Sequence, residues 1–218
     1  MIAELPVYDI PLDELEGVED LTFAALHMDR ETVMEDFDDV YEDTRERSLS
    51  TFECKGLEHV FPIARIDDAS IELASGAVLE SPFLASVLSS ADEVACYAAV
   101  VHGIDKLMKN PDNDVFDGMF FNAWGIGFTM ACNRWMQKRI VERAAAAGRH
   151  VGRSWTPGED KMDLSLQYAL FDLIDPSRIG IALTETGMMS PLMSVSGFMG
   201  ISNDPGIETV GSEEPSCH

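Results

Sequence analysis

Apolar positions change period several times along the chain, and each change marks a candidate element. In "RETVMEDFDDVYEDTRER", Val33, Phe37, Val40 and Tyr41 fall at helical spacing, which predicts a one-sided helix with a charged outer face. "VFPIARI" (60–66) and "ASIELASGAVLES" (69–81) read as strands, with Gly76 turning the second back on itself. Ser81 and Pro82 make an N-cap and a first helical position for a short helix through "PFLASVLSSA". "EVACYAAVVHG" is a continuous apolar run of strand length closed by Gly103, the pattern of a central strand. After the loop "NPDNDVFDG", the chain from Val115 to Ala147 reads as helix, with Gly125 and Gly127 as candidate breaks and Gly148 as C-cap. "RHVGRSW" is a short strand candidate and "TPGED" a turn. Leu166, Leu170, Leu173 and Ile174 then define an amphipathic helix stopped by Pro176. "RIGIAL" and "SVSGFMGI" read as the last strands, and the tail from Asn203 as disordered. Helices and strands interleave without βαβ regularity, so the fold class is α+β. The expected organisation is a largely helical acidic segment over 1–58, a core over 59–202 and a tail over 203–218.

Composition narrows the function. The 218 residues carry 39 Asp and Glu against 15 Lys and Arg, a net charge of −24. Residues 1–58 hold 18 of the carboxylates and only Arg30, Arg45, Arg47 and Lys55, so −14 lies in the first quarter. Such a field repels phosphate backbones and anionic lipid, and neither nucleic acid nor a membrane is expected as a partner. It serves solubility or offers a face to a basic partner. Cys54, Cys96, Cys132 and Cys217 lie far apart, which is neither a disulfide framework nor a zinc site. The first residues show no signal-peptide pattern and no run of about 18 apolar residues exists, so the expected location is cytoplasmic.

Short motifs add little. "GIGFTM" (125–130) resembles a dinucleotide fingerprint, but no strand precedes it and Met130 takes the third glycine's place, which leaves helix packing. "DNDVFDG" (112–118) lacks the spacing and the glutamate of a calcium loop and reads as a loop with capping aspartates. His27, His59, His102, His150 and His218 are scattered. His102, at a strand end, is the most site-like, with a structural role the leading reading. No nucleophile elbow, phosphate loop or base-and-nucleophile pair is present, so the chain does not read as a self-sufficient catalyst.

The segment from Arg153 to Ile201 is more specific. It carries an arginine before Thr156-Pro157-Gly158, then Gln167 with Leu170-Phe171-Asp172-Leu173-Ile174. Next come Ile179 to Glu185, the turn Met188-Met189-Ser190-Pro191, and Ser194-Val195-Ser196-Gly197 opening the last strand. In order and spacing it resembles the activation domain of cobalamin-dependent methionine synthase, more closely the stand-alone single-domain relatives of that module. The resemblance implies a mainly antiparallel twisted sheet flanked by helices. It implies an accessory role in reductive reactivation: binding S-adenosylmethionine in a shallow groove and capping a corrinoid-loaded methyltransferase, with an electron-donor protein as a further partner. Cobalamin itself would come only through that partner, since no D-x-H-x-x-G segment is present.

By the same resemblance the cofactor-binding residues are Arg153, Trp155, Pro157, Gly158, Glu185, Met189, Ser194 and Ser196, lining a concave seat. The guanidinium of Arg153 suits a ligand carboxylate or one of the chain's own acids. Trp155 stacks on a ligand ring or closes the core. Glu185 supplies negative charge near a sulfonium, and Met189 belongs to a flexible methionine wall. The chain departs from the family at Glu159 (tyrosine in relatives), at Met193 (lysine) and at Met130 (glutamate). Those departures motivate a second expectation, a diverged binding module that has lost S-adenosylmethionine and recognises another small ligand or a partner protein.

Overall fold

The structure, a computed structural model, describes residues 5–210. Strand β1 (Val7–Ile10) leads through a 3-10 turn at Leu12–Glu14 into helix α1 (Val18–Leu26). The predicted acidic helix is two: α2 (Arg30–Asp36), N-capped by Asp29 through the Thr32 amide, and α3 (Asp38–Thr51), split where Phe37 leaves helical geometry at φ −136°. Strand β2 (Glu53–Ile66) starts earlier than the apolar pattern suggests. β3 (Ser70–Leu73) and β4 (Val78–Glu80) follow, with Gly76 at φ +88° in their turn. Helix α4 (Pro82–Val87) is capped by the Ser81 hydroxyl accepting the Leu84 amide. β5 (Glu93–His102) and the short α5 (Ile104–Met108) precede α6 (Val115–Ala146), which opens with a reciprocal capping box between Asp114 and Asp117. β6 (His150–Trp155), α7 (Leu166–Ile174), a two-stranded ribbon of β7 (Ala182–Leu183) and β8 (Met189–Ser190), and β9 (Ser194–Ser202) complete the chain.

The main sheet runs β4-β3-β2-β5-β9-β6, with β1 beside the first half of β2, and every neighbouring pair is antiparallel. An antiparallel sheet flanked by helices is the α+β class expected. β5 is central and buried on both faces, hence its unbroken apolar run. Ala95, Tyr97, Ala99 and Val101 point to one side and Val94, Cys96, Ala98 and Val100 to the other. Phe120, Phe121, Trp124, Phe128, Met136 and Ile140 of α6 fill the first side, and α1, α2 and α3 pack over α6 with Phe23, Leu26, Val33 and Tyr41. Leu84 and Leu88 with Leu166, Leu170 and Ile174 close the second.

Three further expectations change. Helix α6 is not broken at its glycines; they are crossing points. A Cβ on Gly127 would lie 2.3 Å from Thr22 Oγ1 and 3.0 Å from the Val18 carbonyl oxygen of α1, and one on Gly125 would meet Met193. "RIGIAL" begins in a 3-10 turn at Pro176–Ile179, and only Ala182–Leu183 pairs, outside the main sheet. Within the tail expected to be disordered, Pro205–Thr209 forms a 3-10 turn anchored by buried Ile207, because an isoleucine that reaches an apolar pocket orders the turn that carries it. Residues 211–218 lie outside the described residues.

Candidate functional site

The segment singled out by its motifs forms one end of the second face. Arg153 leaves edge strand β6 exposed, its guanidinium 4.2 Å from the Trp155 ring centroid and 3.3 Å from an Asp160 carboxylate oxygen. The indole itself is buried, edge-on to Phe83 at 5.2 Å between centroids, so Trp155 closes the core and supports the arginine. Pro157 is buried and Gly158 exposed at φ +89°, a conformation that favours glycine. The loop then runs to Leu164, which touches both Gly158 and Gly187 and brings the 156–159 turn to the 184–188 turn. Tyr168 of α7 fixes that second turn by donating its hydroxyl to the Glu185 carbonyl at 3.0 Å. The Glu185 side chain is exposed.

The remaining site residues serve the scaffold more than the surface. Ser196 is fully buried and donates to Gln167 Oε1 at 2.8 Å, tying β9 to α7 instead of lining an open hollow. The reason is alternation: Ser196 shares its face with buried Phe198, under α7. Ser194 donates to the Pro191 carbonyl at 2.7 Å, and half-buried Met189 packs on the second core. Of the expected seat, Arg153, Gly158 and Glu185 reach the surface. A groove of about 650 Å³ exists elsewhere, between residues 13–17 and Arg134, Trp135 and Lys138 of α6, and no residue of 153–196 borders it.

Sequence reasoning missed a polar cluster just across β6. Tyr97 is fully buried, donates to Asn133 Oδ1 at 2.6 Å, accepts from Gln137 Nε2 at 3.0 Å and shares a 2.7 Å hydrogen bond with Ser154. Burial pushes its phenol up to about 12, with Glu159 adding to the rise and the Ser154 and Gln137 contacts opposing it. Gly197, register partner of Tyr97, leaves the room: a Cβ there would sit 2.6 Å from Ser154 Oγ and 2.8 Å from the phenol oxygen. The only local signal was a tyrosine in an otherwise aliphatic central strand.

The other candidates are structural. His102 Nε2 lies 2.8 Å from the Ile179 carbonyl, with its ring against Gly180, and pins the end of β5 to the 3-10 turn. Cys54 and Cys132 are buried and in contact, and that contact together with burial pushes the Cys132 thiol far up. Among the described residues no His, Cys, Asp and Glu group could hold a metal ion, and no helix is long and apolar enough to cross a membrane.

No protein-family model matches the chain, and no curated protein matches it in sequence. A solved structure does: the crystal structure of the MetH reactivation domain bound to AdoHcy superposes with a TM-score of 0.67 over 93% of this chain and 80% of that one, at 16% sequence identity. At that identity the likeness is one of fold, and it extends well upstream of the motif-bearing segment.

Proposed function

We propose that the protein is an accessory factor for reductive reactivation of a cobalamin-dependent methyltransferase, binding S-adenosylmethionine at the 153–188 end of the sheet and presenting it to a corrinoid-loaded partner. The observation that carries this reading is the shared fold with a domain crystallised with AdoHcy, over nearly the whole chain, together with Arg153, exposed on β6 just before the 156–159 turn, and Glu185, exposed on the 184–188 turn that meets it at Leu164. S-adenosylmethionine, when bound, supplies an electrophilic methyl group on a cationic sulfur. This chain's own groups bind and orient. Arg153, held over Trp155, exchanges Asp160 for a ligand carboxylate. Glu185 favours a sulfonium over a neutral thioether by charge. The 184–188 backbone contributes hydrogen-bonding groups held in place by Tyr168.

A second reading has its own support. The lysine of relatives is Met193 here, packed on Gly125, their tyrosine is Glu159, and Ser196 is committed to Gln167. A scaffold so altered suits a diverged binding module for another small ligand or a protein. Calorimetric titration separates the two. The first expects heat with S-adenosylmethionine, and Glu185→Gln should weaken that ligand more than S-adenosylhomocysteine. Absence of heat at millimolar ligand would leave the diverged module, and equal losses for both ligands would remove the charge role of Glu185.

A further inference from the structure

The groove beside α6 has no part in the methyl-donor reading. It has a volume of about 650 Å³ and lies between the turn 13–17 and the second half of the helix. Its charged groups are not equivalent. Glu14 accepts the Trp135 indole N–H at 3.0 Å, and Glu16 pairs with Lys138 at 2.8 Å. Arg139 is likewise committed, its guanidinium 4.2 Å from the Tyr8 ring centroid and 3.8 Å from the buried Glu58 carboxylate. Arg134 is different. Its guanidinium lies against the turn, 3.4 Å from where a Cβ on Gly17 would stand, and no carboxylate comes within 4.0 Å of it among the described residues. The chain has 39 carboxylates, and Arg30, Arg47, Arg65 and Arg149 each hold one within 3.3 Å. A guanidinium left open in a groove therefore calls for a partner from outside.

We infer that this groove is a binding site for a small molecule that carries a single carboxylate on a flat apolar body. Arg134 takes the carboxylate, since the planar guanidinium fork matches its two oxygens. The body lies against Trp135, whose half-buried indole lines the groove with Ala131. That indole is held in place by Glu14 and by Arg139, whose guanidinium is 5.5 Å from its centroid, so little ordering is left for the ligand to impose. Charge limits what can enter. Asp13 and Glu142 also line the groove and the whole chain carries −24, so a second negative charge, as on a phosphate, is repelled. No residue of the 153–188 segment borders the groove, and the inference stands without the methyl-donor reading.

The test uses the full chain and calorimetric titration with naphthalene-2-carboxylate, its neutral carboxamide and inorganic phosphate as probes. The carboxylate should bind, the carboxamide about tenfold more weakly or worse, and phosphate not measurably at the same concentration. Arg134→Gln should weaken the carboxylate by about tenfold or more and leave the carboxamide unchanged. Trp135→Leu should weaken both by about threefold or more. Arg65→Gln removes the same charge outside the groove, where that arginine pairs with Glu72, and should change neither. Absence of heat with the carboxylate at millimolar concentration would overturn the inference. So would equal binding of acid and amide, phosphate binding that depends on Arg134, or equal losses from Arg134→Gln and Arg65→Gln. Titration with S-adenosylmethionine keeps the two readings apart. Arg134→Gln should leave that heat unchanged, and its loss would place the methyl donor in this groove and overturn the inference.

Discussion

One face of the sheet is covered by a single helix of 32 residues and the other by helices of six and nine residues joined by loops. The long helix is gripped from both sides, by the sheet at Met136 and Ile140 and by α1 at Gly127, and Phe120, Phe121, Trp124 and Phe128 anchor its first half in the core. The face of short pieces has equally buried anchors in Leu170 and Ile174 but leaves an edge strand and turns at its margin, where Arg153, Gly158 and Glu185 reach solvent. A continuous cover and a looped margin therefore sit back to back on one sheet. Ligand groups suit the second, where backbone and polar side chains can move without opening a core.

That contrast can be broken at several points. Phe120→Ala, on the gripped face, should cost about 3–5 kcal/mol in urea unfolding; a loss below about 1 kcal/mol would mean that α6 is loosely seated. Tyr97 gives a pH test of the same face. Its phenol titrates at about 12 in the fold against 10.0 ordinarily, so the folded state favours the protonated form. The stability this confers, about 2–3 kcal/mol, is fully present below pH 10 and is lost as pH rises from 10 to about 12. Urea midpoints across that window should fall for the native chain and fall less for Tyr97→Phe; parallel declines would show that the phenol is not the cause.

On the margin, Arg153→Ala should weaken S-adenosylmethionine by about 1.5–3 kcal/mol in calorimetry with little change in Tm. A large drop in Tm with intact binding would make the arginine a structural partner of Asp160 and Trp155. The smallest effect is expected at the α1 crossing. Gly127→Ala gains about 1 kcal/mol of helix propensity but overpacks the Thr22 contact by about 1–3 kcal/mol. A net loss of Tm should follow, and a rise would mean that α1 yields easily.

Local signals made much of the fold readable. Ser81 with Pro82, Asp114 with Asp117, Gly76, Gly148 and the leucines of α7 each act within one turn of chain, and each stands where its chemistry places it. Errors came where a partner far along the chain decides. Gly125 and Gly127 carry the same helix-weakening tendency in any sequence, yet Met193 and Thr22 turn it into close packing. Ile179 in "RIGIAL" suits a strand, but Pro176 and the Gly180 approach to His102 bend it into a turn. In the candidate site, Arg153 could be placed on a short strand just before the Thr156-Pro157-Gly158 turn, and Glu185 just before the Met188-Met189-Ser190-Pro191 turn. That Ser196 faces inward depends on its β9 register with Ala98, which no local pattern contains.

By itself the amino-acid order determined helix caps such as Ser81, turn positions such as Gly76, and the central strand, because each follows from neighbours a few residues apart. Only the tertiary structure decided which strand lies beside which, what Tyr97 touches, that Trp155 and Ser196 are interior, and that Met193 packs on Gly125. Those outcomes rest on contacts between groups dozens of residues apart, such as Tyr97 with Ser154 and Gly125 with Met193. Their energy is gained only once the whole sheet has closed.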